Sequence, residues 1–210
     1  MSKKDRQLTP AEQKRKADFE IICEAMEKKG YSKKDLTVSV LKANIMAFII
    51  MLPFMAVFAW LYYTVNSTGE IVISLKLSIL LLPILICLIV LHELIHGITW
   101  GIFAEKHFHS IEFGVIWSAL TPYCTCLEPM KRWQYILGGA MPTLVLGGGV
   151  GVVAVVTDQL MLLLLSELMI LSGGGDFLII LKILLYRSDK KEAVYYDHPY
   201  ECGVVVFEKD

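Results

Sequence analysis

The apolar run Leu75–Leu91, LKLSILLLPILICLIVL, carries one charge, Lys76, and leads without a break into His92-Glu93-Leu94-Ile95-His96. A run of that length and composition is read as a membrane-spanning helix. On a helix, residues four apart share one face and lie about 6 Å apart along the axis. Two imidazoles so placed can hold one Zn²⁺, and the Glu beside the first His can serve as general base toward water. In a soluble protein the H-E-x-x-H string is a modest signal, because surface helices are rich in Glu and His. Near the end of an apolar span, ionisable groups are costly, and a functional site is the default reading. The competing role is structural, with His92 and Glu93 bonded to neighbouring helices as polar glue.

Other parts of the chain agree with a membrane setting. Of its 210 residues 55% are hydrophobic, against about 45–50% in an ordinary soluble domain, and the apolar residues fall in long blocks. The net charge of −1 hides an asymmetry, since eleven Lys and Arg lie in residues 1–42. No secretory leader is evident, because about forty polar and charged residues precede the first apolar block. Five cysteines are present, Cys23, Cys87, Cys124, Cys126 and Cys202. All but Cys87 are expected on the cytoplasmic side, as reduced thiols. Cys124-Thr125-Cys126 is C-x-C rather than C-x-x-C and reads as structural, with metal binding as the lesser alternative.

Residues 1–8 read as disordered. Thr9-Pro10-Ala11-Glu12 predicts a helix start with a capping box, and Phe19, Ile22, Cys23 and Met26 form one apolar stripe that ends at Gly30. This short basic helix is suited to an anionic leaflet or to docking on the membrane domain. Ser32-Lys33-Lys34-Asp35 reads as a second cap before span one, about 43–65, which holds Pro53 and an aromatic belt of Trp60, Tyr62 and Tyr63. The tight loop Asn66–Glu70 contains the formal sequon Asn66-Ser67-Thr68. Span two is about 72–100, kinked at Pro83, with Gly97 and Gly101 spaced for close helix approach.

Residues 107–115 alternate, so 104–133 predicts a β-hairpin or re-entrant segment broken at Pro122 and Pro129. His107 and His109 are expected on one face of a strand, as interfacial or structural residues first and as extra ligands second. Span three, about 134–156, is rich in glycine and suited to tight packing. Span four, about 160–186, contains Glu167 and, after Gly173-Gly174-Gly175, Asp176.

An unpaired carboxylate at membrane depth is not tolerable, and a metal would satisfy Asp176. Lys and Arg at 3–42, 106, 131–132 and 187–191 put both termini in the cytoplasm by the positive-inside rule. Spans two and four then run in the same direction, which brings His92, His96 and Asp176 to similar depth. Glu167, nine residues before Asp176, falls on the opposite face about 13 Å away and is expected to be paired in the bundle or near the outer surface. The tail 187–210 reads as solvated or docked, with His198 and Cys202 as ligands on paper only.

The expected fold is therefore an all-α polytopic membrane protein of about four transmembrane helices, with a hairpin or re-entrant segment between spans two and three. Its expected parts are a basic N-terminal region 1–42, a membrane-embedded region 43–186 and a C-terminal tail 187–210.

With Leu91-His92-Glu93-Leu94-Ile95-His96-Gly97 in one span and Ser172-Gly173-Gly174-Gly175-Asp176-Phe177 in a later one, the chain resembles the site-2-protease-like intramembrane zinc metalloproteases. It looks closest to a family of small integral membrane proteins described as zincin peptidases. The likeness runs from about residue 38 to the tail, whose Asp197-His198-Pro199-Tyr200-Glu201-Cys202-Gly203 also looks family-like. The chain departs from the site-2 pattern in having Phe177 after the Asp and no PDZ domain.

The resemblance implies one Zn²⁺ per chain held by His92, His96 and Asp176, with Glu93 as the catalytic base. It implies a membrane protein or peptide as substrate, the bilayer as the second partner, no nucleic acid, and a bacterial cell membrane as the location. Two other readings stand beside it. One is a metal-binding scaffold or interaction protein without turnover. The other is a transporter using the intramembrane His, Glu and Asp as an ion path, which four spans without inverted repeats make a poor fit.

Overall fold

The structure, a computed structural model, describes residues 8–66, 75–116 and 121–210. The disordered start expected for residues 1–8 and the sequon loop 66–70 fall largely outside these residues. Helix α1 (Pro10–Lys28) begins at the expected capping box. The Glu12 N–H donates to Thr9 Oγ1, and the Glu12 carboxylate accepts from the Thr9 N–H at 2.9 Å. It ends at Gly30, whose φ of +85° is left-handed, with the Tyr31 N–H bonded to the Met26 carbonyl at 3.0 Å.

Among the described residues, three helices are long and apolar enough to cross a membrane. They are α2 (Val40–Val65), the Ile79–Phe103 part of α3 (Leu75–Phe103), and a composite over Arg132–Thr157. The composite consists of α4 (Arg132–Pro142), a π-helical stretch Thr143–Gly149 and α5 (Val150–Thr157). Ile49, Leu52, Leu82, Val90 and Val152 are exposed on these helices, an apolar surface whose natural solvent is lipid.

The structure corrects the all-α expectation with four transmembrane helices in two ways. First, the last apolar block is not one helix. It divides into α6 (Leu160–Ser172) and α7 (Gly174–Leu185), bent by 45° at Gly173. A side chain at Gly173 would collide with Thr143, and one at Gly174 with Ala47. The bend thus lets the chain nest against the composite span and α2.

Second, two antiparallel sheets are present among the described residues. Strands β2 (Ile111–Ile116) and β3 (Thr121–Cys126) form a hairpin between α3 and α4. The other sheet has the order β1-β6-β5-β4, built from β1 (Ser32–Thr37), β4 (Met130–Lys131), β5 (Glu192–Asp197) and β6 (Gly203–Lys209). Ser32–Asp35 is therefore an edge strand rather than a helix cap, and Ser39 precedes α2 instead. Its exposed Lys33 and Lys34 suit an edge, where charge discourages further pairing.

The tail is docked as the two central strands. Gly203-Val204-Val205-Val206-Phe207 is a continuous apolar run because both of its faces are covered. Val205 and Phe207 pack with Phe19 and Met26 of α1. On the other face, Val204 and Val206 pack with Trp100, Tyr135 and Ile183. The sheet is thus a plate with α1 on one side and the ends of the membrane helices on the other. Phe207 is 1% exposed, so Phe207→Ala is expected to cost about 3–5 kcal/mol. Thermal unfolding in detergent and faster proteolysis of residues 9–28 would register that loss.

Candidate metal centre

His92 and His96 occupy one face of α3, both buried, with ring centroids 4.9 Å apart. Asp176 lies in the first turn of α7, where the helix dipole favours a carboxylate. Its Oδ2 is 3.3 Å from His92 Nε2 and 3.5 Å from His96 Nε2. The three ligand atoms lie within 4.8 Å of one another, the one such grouping of His, Cys, Asp and Glu among the described residues.

Helix α4 runs between α3 and α7 and sets this geometry. At its start, Arg132 donates to the carbonyls of Ile183 and Leu184 at 2.9 and 3.1 Å, closing the last turn of α7. One turn further, the Gly138 carbonyl accepts from His96 Nδ1 at 2.8 Å. That bond assigns the proton to Nδ1 and leaves Nε2 as the free lone pair. Gly138 is required here because a Cβ would overlap the Trp100 indole. Trp100 lies nearly parallel to the His96 ring, with centroids 4.9 Å apart and planes 14° apart. Its Nε1–H donates to the Tyr135 carbonyl at 3.3 Å.

This donor set fits zinc. Two imidazole Nε2 atoms and one carboxylate converge, one ring is locked in the ligating tautomer, and Asp176, with 27% of its side chain exposed, leaves one side open. His92 Nδ1 is buried without a hydrogen-bond partner among the described residues, so a hydrogen bond behind the ring holds His96 but not His92.

Glu93 is half-buried, with the backbone N–H of Cys124 directed at its carboxylate. It lines a cleft of about 200 Å³ between α3 and the hairpin, walled by Val90, Leu94, Phe113, Pro122 and Tyr123.

Several sequence candidates lie elsewhere. His107 and His109 are exposed in a 3₁₀ turn, His107–Ser110, and do not share a strand face. Gly97 and Gly101 face Phe113 and Phe108, so the small residues admit aromatic rings instead of another helix. Glu167 stands outside the ligand group, and its two carboxyl oxygens are buried without partners among the described residues rather than paired. His198 Nδ1 accepts from the Glu201 N–H at 3.0 Å. Burial pushes the Cys124 thiol up and the Cys126 thiol up to about 12. Thiolate is the ligating form, and neither cysteine belongs to the group of potential ligands among the described residues.

Trp100, Tyr135, Gly138 and Asp197 are supporting residues that sequence reasoning passed over. Trp100 had a signal, since it is four residues beyond His96 and so on the same helical face. A backbone acceptor such as the Gly138 carbonyl leaves none. Asp197 reads as one more acid in a polar tail, yet it accepts from Tyr135 Oη and from Thr125 Oγ1. Burial pushes its carboxyl up, and those two bonds hold it down in part.

Comparison with known proteins adds a family. A family profile described as "Putative zincin peptidase" matches residues 85–191, a stretch that includes His92, Glu93, His96 and Asp176. No curated protein and no solved structure matches the chain. With about half of its length covered by that profile, the chain belongs to the "Putative zincin peptidase" family.

Proposed function

We propose that the chain is an intramembrane zinc metallopeptidase of the site-2-protease type, hydrolysing peptide bonds of membrane-associated proteins or peptides. The carrying observation is the convergence of His92 Nε2, His96 Nε2 and the Asp176 carboxylate within 4.8 Å, beside Glu93, on helices of a membrane bundle. His92, His96 and Asp176 would hold one zinc ion per chain. Zinc bound there supplies a Lewis acid that polarises a peptide carbonyl and makes water acidic enough to be deprotonated near neutral pH.

The chain's own groups do the rest. Glu93 accepts the proton of the attacking water and returns it to the leaving amine. The Gly138 carbonyl keeps His96 in the tautomer that presents Nε2. The Cys124 N–H orients the Glu93 carboxylate. The cleft beside Glu93 is walled by apolar side chains and receives an apolar segment of the substrate, unwound and laid against the hairpin as an added strand.

In this proposal both termini face the cytoplasm. The Lys and Arg at 14–42 and 187–191 flank strands of one sheet, and positive charge accumulates on the inner side. The centre then opens near the cytoplasmic end of α3, in the membrane of a bacterial cell.

The test is co-reconstitution in liposomes with single-span model substrates. Cleavage is expected to stop on chelation and to return with one equivalent of zinc. Cleavage that survives complete metal removal would overturn the proposal. Stoichiometric zinc without cleavage of any substrate would instead make the chain a metal-binding scaffold.

A further inference from the structure

We propose that Asp197 is a positioning residue for the metal ligand His96, acting from the sheet through Tyr135 and α4. The inference rests on the metallopeptidase reading of the site and assigns a task to the C-terminal sheet within it.

Asp197 is the last residue of β5, outside the helices that carry the ligands. Its Oδ1 accepts from Tyr135 Oη, and its Oδ2 accepts from Thr125 Oγ1 at 2.7 Å. Two hydroxyl donors from two different elements leave the carboxylate no freedom to swing, and bonds to an ionised acceptor are the strong kind. Among the described residues no salt bridge to Lys or Arg involves it, so its partners are these neutral donors.

Tyr135 is 4% exposed and stands in the first turn of α4. Its carbonyl holds the Trp100 indole that lies flat against His96. The next turn of the same helix provides the Gly138 carbonyl that fixes His96 Nδ1. Both supports of His96 therefore hang on α4, the helix that Asp197 anchors at its first turn.

General anchoring of the sheet does not need this carboxylate. Val204 and Val206 already bury one face of β6 against the helices. Tyr186, just beyond α7, donates to Glu208 at 2.6 Å and ties the same sheet to the bundle through a bond that does not involve α4.

The experiment uses the full chain in detergent, loaded with Co²⁺ for its visible d–d spectrum and with Zn²⁺ for affinity by chelator competition. Asp197→Ala is expected to weaken zinc on the order of 10-fold, the lower end for loss of an outer-shell partner, and to shift the cobalt bands. Tyr135→Phe removes only the hydroxyl and is expected to change the spectrum in the same direction. Tyr186→Phe, which cuts the other tie, is expected to change neither.

Wild-type affinity and spectrum in Asp197→Ala would overturn the inference. If that variant does not fold, wild-type behaviour of Tyr135→Phe would do the same, as would an equal shift in Tyr186→Phe. A wild-type chain that takes up neither metal would overturn the metallopeptidase reading itself, a distinct result.

Discussion

Glu93→Gln protein will keep its zinc and lose peptide hydrolysis by about 10²–10⁴-fold, the range contributed by a positioned general base. Gln has nearly the size and shape of Glu, so the cleft between α3 and the hairpin keeps its packing. Its side-chain carbonyl can still accept from the Cys124 N–H that faces Glu93. What it cannot do is take a proton from water. Metal retention is expected because Glu93 is not among the three converging ligands. Metal analysis and cleavage of a reconstituted single-span substrate, run on one preparation, separate the two roles. Cleavage at the wild-type rate would remove Glu93 from the chemistry. Joint loss of zinc and cleavage would instead make Glu93 part of the metal's support.

The parts of this site that were legible in the sequence are those governed by local rules. His92 and His96 share a face because helical periodicity puts them there. Asp176 was visible because a carboxylate after three glycines in an apolar block demands a partner. The match in depth between the two came from the distribution of Lys and Arg along the chain.

What stayed hidden depends on partners far away in sequence. Strand β1 pairs with β6, where Ser32 stands opposite Glu208, and nothing in Ser-Lys-Lys-Asp announces that pairing. An edge strand shows no alternation when its outer face is wet. The short apolar stretch Val204–Phe207 acquires its role only when α1 and the membrane helices cover its two faces. The bend at Gly173 is another case: the three glycines mark a loosened helix, but the direction of the turn is set by Thr143 and Ala47.

The same distinction explains why the sheet escaped a functional reading. A polar tail containing Asp197 carries no motif, and its importance comes from what its carboxylate touches. Tyr135 and Thr125 belong to α4 and β3, elements that support His96 and adjoin Glu93 respectively. Short loops join these elements, but their arrangement in space is tertiary. Ligand residues are chosen by chemistry and so can be read from residue type. Residues that hold ligands in place are chosen by shape, and the shape exists only after folding.

Wild-type protein is expected to carry about one zinc per chain, and His92→Ala and Asp176→Ala are each expected to carry none. Three ligands is the usual protein complement of a catalytic zinc, with the fourth position left for water or substrate. Removing one leaves two, and no other His, Cys, Asp or Glu among the described residues converges on the site to replace it. His107 and His109 are exposed in their turn, and Glu167 stands outside the group.

Stability gives a second readout that needs no substrate. Ligand binding to the folded chain alone stabilises it, by about 4 kcal/mol at a thousandfold excess over Kd. Zinc is therefore expected to raise the melting temperature of the wild type and to leave both variants unmoved. The two sides of the site differ in what their loss exposes. In His92→Ala the Asp176 carboxylate keeps His96 as a partner at 3.5 Å, whereas in Asp176→Ala both buried histidines lose the carboxylate at Nε2 and only His96 keeps a bond, to the Gly138 carbonyl. Asp176→Ala is thus expected to be the less stable apo-protein, since two buried rings lose a polar partner rather than one. Zinc retained in Asp176→Ala but lost in His92→Ala would make the centre a two-histidine site completed by Glu93. Absence of zinc from the wild type would return His92, Glu93 and His96 to the role of polar contacts within the bundle.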